Sequence, residues 1–222
     1  MAKQVHDSGE TVGQVLSSAE HFLSKYKNHI IYTVVGILAV VLIYFGYKKL
    51  YQEPQQEEAR SQMFVAEQYF RSDSLALALN GDGNNYGFLQ IIDDYGNTAG
   101  DIVYFYAGIC QLKLGQYEAA IENLKKYKVG DEITTAIALA RIGDAYVNLN
   151  NYAEALNYFL KAANYRDNDF AADPLLKAGL AYKALGKPEE ALKIFLRIKN
   201  NYPQADEARD IDKYIGEISP ME

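Results

Sequence analysis

Cysteine and histidine are nearly absent from this sequence, and their scarcity excludes whole classes of enzyme chemistry. Cys110 is the one cysteine among 222 residues, so neither an internal disulfide nor a multi-cysteine zinc site can form. His29 is the last of three histidines, and no histidine follows it. A nucleophile with a histidine base, or a histidine metal site, therefore cannot be built after residue 29. We expect a protein that is not an enzyme and has no metal or cofactor.

Positive charge is also scarce in most of the chain. Residues 1–52 hold 5 Lys and Arg against 3 Asp and Glu, whereas residues 53–222 hold 17 against 26. The larger part thus has a balance of −9, which repels phosphate backbones. We therefore expect that the protein does not bind nucleic acid. We also expect no small-molecule substrate.

The longest apolar run, residues 30–47, predicts a membrane-spanning helix. Its 18 residues carry no charge and include 11 Ile, Val, Leu or Phe. As a helix the run extends about 27 Å, and its apolar residues favour insertion by roughly 3–6 kcal/mol. A cleaved signal peptide is disfavoured, because 29 residues precede the run and Lys48 and Lys49 follow it.

Residues 1–29 form a tail with a second helical pattern, whose apolar residues share one helix face. These are Val12, Val15, Leu16, Ala19, Phe22, Leu23 and Tyr26. The face could lie on a membrane surface, meet a partner helix or simply lead into the span. Two lysines flank each side of residues 30–47, so the charges leave the orientation of the span open.

After the span, Pro54 predicts a break in the helix, within a juxtamembrane linker of residues 48–57. An internal repeat then dominates residues 58–222. Three glycines stand 35 and 36 residues apart, each followed after seven residues by Gly or Asn and after twelve by Ala. The glycines are Gly108, Gly143 and Gly179; the second positions are Gly115, Asn150 and Gly186; the alanines are Ala120, Ala155 and Ala191.

This repeat predicts stacked helix hairpins. The first glycine and the later alanine allow two antiparallel helices to approach closely, and the second position lies in the turn between them. Large residues such as Phe159 and Phe195 fill the space beside the glycines. One hairpin cannot bury both of its faces, so hairpins must stack. The sequence therefore predicts an all-α fold, with an N-terminal transmembrane helix followed by an α-solenoid.

The ends of the solenoid are less regular. Before the clear repeats, residues 59–70 and 88–95 carry two apolar helical stripes, separated by residues 73–84, which we expect to form an inserted surface turn. This insertion lacks the glycine and glutamate that a calcium loop requires. A helix near Ala208–Ile218 bears acids on its outer side, as a capping helix does. We expect about four hairpins plus this cap.

The repeat resembles the tetratricopeptide repeat (TPR). The middle unit has Leu139, Ile142, Gly143 and Tyr146, then Ala155 and Phe159; the last has Leu175, Ala178, Gly179 and Tyr182, then Ala191, Phe195 and Pro203. The first unit departs from the pattern at Gln111, and none of the three has the tryptophan of the family. The clear repeats cover about 101–134, 136–169 and 172–205.

The resemblance implies a protein-binding groove, lined by the first helix of each hairpin. A chaperone-tail clamp of Lys and Asn is mostly missing at the matching places, which are Phe105, Ile109, Arg141, Asp173 and Lys177. We expect the groove instead to bind an apolar peptide or partner helix. Its inward residues would be Ile102, Phe105, Ile109, Leu112, Lys113, Ile137, Ala140, Asp144, Val147, Asn148, Asp173, Leu176, Leu180 and Lys183.

The layout as a whole resembles membrane-anchored bacterial TPR proteins, a family that includes the periplasmic ancillary subunit of the Sec translocon. This resemblance implies a single-pass inner-membrane protein with a cytoplasmic N-terminus and a periplasmic TPR domain. Its partners would be translocon or envelope-complex subunits and exported polypeptides, and its role would be to assist secretion. Two alternatives stay open: a scaffold for outer-membrane assembly or cell-wall synthesis, and a cytosol-facing adaptor similar to import receptors.

Overall fold

The computed structural model describes residues 8–128, 130–165 and 169–218, and their side chains from residue 24 onward except at positions 97 and 169. Helices and turns make up this described part of the chain, and it contains no β-strand. The prediction of an all-α fold is confirmed. The chain divides into two compact units, residues 1–54 and 55–222.

The first unit is dominated by one long helix, α1 (Ser8–Tyr47). Its most apolar 18-residue window has a mean hydropathy of 2.3 and is not buried at all. A core helix of a soluble protein with this composition would be covered by other residues. α1 is therefore long and apolar enough to cross a membrane. The predicted amphipathic face of the tail falls within α1, but most of its side chains lie outside the described residues.

The predicted helix break at Pro54 is wrong. A π-helical turn (Lys48–Gln52) follows α1, and the next helix, α2 (Glu53–Arg71), begins one residue before the proline. Glu53 has helical dihedral angles of −61° and −45°, and its N–H donates to the carbonyl of Lys48. Proline is tolerated in the first turn of a helix, and the wider π turn replaces the four-residue bonding pattern that Pro54 would interrupt.

The second unit opens with the irregular hairpin that the sequence indicated. α2 buries Ala59, Met63 and Ala66 in a cluster that also contains Phe88 and Ile91 from α4 (Phe88–Tyr95). The expected surface turn between these stripes is wrong in part, because residues 75–80 form a short helix, α3 (Leu75–Asn80). Two of its side chains are fully buried, so the insertion contributes to the core.

The rest of the insertion is a turn organised by one carboxylate. Asp82 accepts hydrogen bonds from the Tyr69 hydroxyl at 2.7 Å and from the backbone N–H groups of Asn84 and Asn85 at 2.8 and 2.6 Å. These donors, the tyrosine hydroxyl foremost, hold the pKa of Asp82 well below its usual range. Asp82, which alternates with Asn80 and Asn84 as the first ligands of a calcium loop do, is thus engaged by the protein's own groups.

Three regular hairpins follow and pack in chain order. They are α5 (Ile102–Lys113) with α6 (Tyr117–Lys126), α7 (Glu132–Asn148) with α8 (Tyr152–Ala163), and α9 (Ala172–Ala184) with α10 (Pro188–Asn201). The turns contain Gly115, Asn150 and Gly186 at φ of +78°, +57° and +70°. Glycine and asparagine adopt this left-handed conformation at the least cost, which explains their recurrence.

Each regular hairpin is closed by a glycine that faces a large side chain. A Cβ on Gly143 would lie 2.5 Å from Cε1 of Phe159, and one on Gly108 would lie 2.6 Å from Cγ of Leu124. Gly179 faces Phe195 in the same way. The repeated glycine therefore marks the closest approach of the two helices in each hairpin.

A final helix, α11 (Ile211–Ile218), covers the end of the solenoid. Ile211 is buried among residues of the last hairpin, and the Tyr214 ring lies 5.4 Å from that of Phe195. Lys199 of α10 donates to Asp212 at 2.7 Å. The apolar side of α11 thus completes the last core cluster, as a cap does.

We predict that the Cys110 thiol does not react in the folded protein. Its side chain is fully buried, and this burial raises the pKa of the thiol to about 12. At pH 8 the thiol is then almost entirely protonated, and solvent does not reach it. Labelling of the full chain by a maleimide should be negligible until denaturant is added. Rapid labelling without denaturant would contradict this packing.

Candidate protein-binding site

The predicted groove residues of α5 lie mostly between hairpins. Ile109 belongs to a core cluster with Leu124 and Ile142, and Ile102, Phe105 and Leu112 pack against that cluster. The Phe105 ring lies 5.4 Å from that of Tyr127. Lys113 is exposed and donates to Asp73 at 3.1 Å. This end of the predicted groove is filled by the protein's own side chains.

The predicted residues of α7, together with Asp173 and Leu180 of α9, line two cavities. We call this surface the α7–α9 face. Ile137 and Leu180 are 37% and 39% exposed on it. Asp144, Val147 and Asn148 follow one another at helical spacing along α7, so one side of that helix borders the opening.

The first cavity, the inner pocket, has a volume of about 340 Å³. Phe159 forms part of its lining and is itself almost fully buried, so the pocket reaches down to the hairpin core. The lining residues are Asp144, Val147, Asn148, Tyr152, Phe159, Lys177, Leu180 and Ala181. Apolar walls with a few polar groups are typical of binding pockets.

The second cavity, the outer pocket, has a volume of about 230 Å³ and lies nearer the N-terminal ends of α7 and α9. Phe170, in the 3₁₀ turn Asp169–Ala171, forms one wall and is 61% exposed. The lining residues are Ile133, Ala136, Ile137, Ala140, Arg141, Phe170, Asp173 and Pro174. Ala140 is 5% exposed, so it forms the floor of the pocket.

A cluster of four charged side chains separates the two pockets. Asp144 accepts from Arg141 at 2.7 Å and from Lys177 at 2.9 Å, and Lys177 also lies 3.2 Å from Asp173. The charges of two carboxylates and two cations therefore cancel, and the Asp144–Lys177 ion pair links α7 to α9. The two cations occupy places where the chaperone-tail clamp would be, but both are paired internally. A ligand carboxylate would have to compete with Asp144 for them.

We predict that Asp144→Asn destabilises the domain by about 1–2 kcal/mol. The Asp144 side chain is only 20% exposed, and its loss leaves Arg141 and Lys177 as neighbouring like charges. Thermal unfolding of the full chain in detergent followed by circular dichroism measures the effect. Arg209→Ala is the matched control, because it breaks a pair that is 78% and 79% exposed, and it should shift unfolding very little.

The last predicted groove residues differ in their surroundings. Leu176 packs against the last core cluster. Lys183 is bound to the cap, since its ammonium donates to Glu217 of α11 at 2.5 Å. This bond lowers the pKa of the Glu217 carboxyl. Lys183 thus holds α11 against α9, and the groove ends there.

Sequence reasoning missed several lining residues. Ile133 lies one helical turn before Ile137, so the helical period could have found it. Phe170 lies in a connection between repeats, where no helical period applies. Tyr152 and Phe159 come from α8, although the groove was assigned to the first helix of each hairpin.

Among the described residues, no group of three or more His, Cys, Asp or Glu side chains is placed so that it could hold a metal ion. The α7–α9 face combines apolar pockets, exposed aromatic and aliphatic side chains, and paired charges.

Comparison with known proteins agrees with this geometry. Family models described as tetratricopeptide repeat match residues 103–128, 136–169 and 175–205, so the chain contains TPR units. These repeats are protein-interaction modules, and no enzyme family is indicated. By sequence, no curated protein matches the chain.

Solved structures share the fold. A crystal structure of MamA is 18% identical, with a TM-score of 0.52, covering 69% of this chain and 92% of the other. A second crystal structure of MamA protein is also 18% identical, with a TM-score of 0.56, covering 73% and 86% of the two chains. At this identity the likeness concerns the fold alone.

Proposed function

We propose that this protein is a membrane-anchored, non-enzymatic TPR scaffold that binds other proteins through the α7–α9 face. The observation that carries the proposal is the exposure of Ile133, Ile137, Phe170 and Leu180 around two cavities. Exposed apolar side chains that gather around pockets are typical of protein-interaction sites. The TPR units support the same role, because stacked repeats commonly present binding surfaces.

The anchor in this proposal is the apolar part of α1. Its charge-free run of 18 residues matches the thickness of a bilayer core, and its side chains are not covered by protein. Tyr32 lies near one end of the run, and Tyr44 and Tyr47 near the other, where aromatic residues favour the interface. We place the N-terminus in the bacterial cytoplasm and the TPR domain in the periplasm.

The partners we propose are translocon or envelope-complex subunits and exported polypeptides, with assistance to secretion as the role. The layout of tail, span and TPR domain supports this choice. A scaffold for outer-membrane assembly or cell-wall synthesis would need the same anchor, topology and binding face, and would differ only in its partners. A cytosol-facing adaptor differs in topology. Two experiments separate these cases.

Photo-crosslinking in cells tests the binding surface. A photoreactive phenylalanine analogue at Leu180 or Ile137 should capture translocon subunits or exported chains. The control position is Glu122 on α6, whose side chain is 72% exposed and lies off the α7–α9 face. Equal capture from all three positions, or none from Leu180 and Ile137, would refute binding at this face. Capture of other envelope subunits would identify the alternative machine.

Cysteine labelling tests the topology. In a Cys110→Ala background, Asp206→Cys places a thiol where the side chain is 79% exposed. An impermeant maleimide should label it in osmotically opened cells, whereas Lys3→Cys should be labelled only after lysis. The reverse pattern would exclude the periplasmic placement and favour the cytosol-facing adaptor.

A further inference from the structure

The outer pocket continues into an acidic surface. A third cavity lies directly beside it, and the two share Phe170 and Asp173. We call this third cavity the acidic ledge. It is lined by Phe170, Ala172, Asp173, Gln204, Ala205, Asp206 and Glu207. A single aromatic side chain therefore has an apolar pocket on one side and carboxylates on the other.

The charge of the ledge is only partly balanced by neighbouring cations. Three carboxylates line it, and no lysine or arginine is among the described residues of its wall. Arg209 pairs with Asp206 at 2.8 Å, but both side chains are largely in solvent. Lys177 reaches Asp173 at 3.2 Å and is shared with Asp144. Glu207 makes no ion pair within the part of the chain that the structure describes.

The apolar side of this surface has room for one large side chain. Apolar cavities of about 150 Å³ accept a benzene ring, and the outer pocket has about 230 Å³. Ile133 and Phe170 both line it and are 46% and 61% exposed. A ligand side chain could thus be enclosed by aliphatic and aromatic walls while the next residue reaches the carboxylates.

We propose that the outer pocket and the acidic ledge together bind a protein segment in which a large apolar residue stands next to lysine or arginine. This inference rests on the proposed function and specifies the chemistry of the partner. Charge complementarity selects the basic residue, since rim carboxylates favour cations and reject acidic segments. A second copy of this domain is a poor occupant, because residues 53–222 carry 17 basic against 26 acidic side chains.

The test selects ligands without assuming their sequence. Random peptides displayed on phage are panned against the full chain in nanodiscs of phosphatidylcholine, with empty nanodiscs as the counter-selection. The neutral lipid avoids adsorption of basic peptides. Enriched sequences should contain an apolar residue beside lysine or arginine. Enriched peptides as acidic as the starting library would overturn the inference.

Matched variants then locate the binding of one enriched peptide by fluorescence anisotropy. Asp206→Asn with Glu207→Gln should weaken it about three- to tenfold, because rim charges act singly and weakly. Glu189→Gln with Glu190→Gln removes the same charge from the first turn of α10 and should change nothing. Equal loss of peptide affinity in both double variants, or no loss in either, would overturn the inference.

A third variant keeps the two proposals apart. Leu180→Asp alters the inner pocket without touching the ledge. If it abolishes peptide binding while the ledge variant has no effect, the α7–α9 face binds proteins but the basic preference is wrong. If no peptide is enriched over empty nanodiscs, both proposals fail.

Discussion

Phe195→Ala is expected to lower the free energy of unfolding by about 3–5 kcal/mol. The Phe195 side chain is fully buried, and it fills the space that Gly179 leaves between α9 and α10. It also contacts Tyr214 of the cap. Its removal leaves a cavity that backbone movement cannot close, since both helices are held by the neighbouring hairpin and by α11.

Chemical denaturation of the full chain in nonionic detergent, followed by circular dichroism, measures this loss. Phe170→Ala is the matched control: it makes the same replacement at a side chain that is 61% exposed. It should change the unfolding free energy by less than about 0.5 kcal/mol. Phe170→Ala should nevertheless weaken binding of the enriched peptide. Equal destabilisation by the two replacements would contradict the placement of either ring.

The second large effect concerns the anchor. Leu38→Arg with Val41→Arg places two charges near the middle of the apolar part of α1. Two central arginines disfavour insertion by about 5–7 kcal/mol, against roughly 3–6 kcal/mol gained from the apolar residues of the run. We expect most of this variant to be released when membranes are washed with alkaline carbonate, while the parent chain stays in the pellet.

Tyr47→Arg with Leu50→Arg provides the control, because it adds the same charge beside Lys48 and Lys49, where long basic side chains reach the interface. This variant should remain in the membrane fraction. Retention of both variants would show that the apolar run does not cross a bilayer. Thermal unfolding of residues 55–222 should be similar in all three proteins, since the changes lie in the first unit.

Much of the fold could be predicted because its determinants are local. Gly143 and Phe159 lie 16 positions apart on two helices joined by a short turn, so their contact is visible as a repeated spacing. The turn positions, such as Asn150, need a left-handed residue and recur for that reason. Contacts between successive hairpins repeat the same register, so a solenoid can be predicted from the repeats of a single sequence.

The predictions that fail involve exceptions to local rules. Pro54 normally ends a helix, but the preceding π turn removes the conflict. The insertion after Asp73 has the composition of a loop at its end, yet Ala78 and Leu79 are buried by tertiary packing. The weak local preference for a loop is overridden here, because burial of Ala78 and Leu79 in the core favours a helix.

The candidate site is less readable than the fold. A helical period identifies which side of α7 and α9 faces a neighbour, but it does not tell which side chains remain exposed. Phe105 and Ile109 lie on the corresponding side of α5, where they belong to or pack against a core cluster, whereas Ile137 is 37% exposed. Phe170 lies in the connection between the last two hairpins and Glu207 in the connection from the last hairpin to α11, so their meeting depends on the completed stack.

Stacking of the hairpins in chain order also determines how a pulling force would pass through the domain. Each hairpin contacts mainly its neighbours, so tension applied to one hairpin passes to the next in series. In the function that we propose, α1 is held by the membrane and a client binds the α7–α9 face, so a pull on the client would be transmitted through α2 to α6 and not through α10 and α11. The force that such a client could withstand would therefore depend on the irregular first hairpin. There the buried alanines of α2 and α3 pack against α5, the first helix of the regular hairpins.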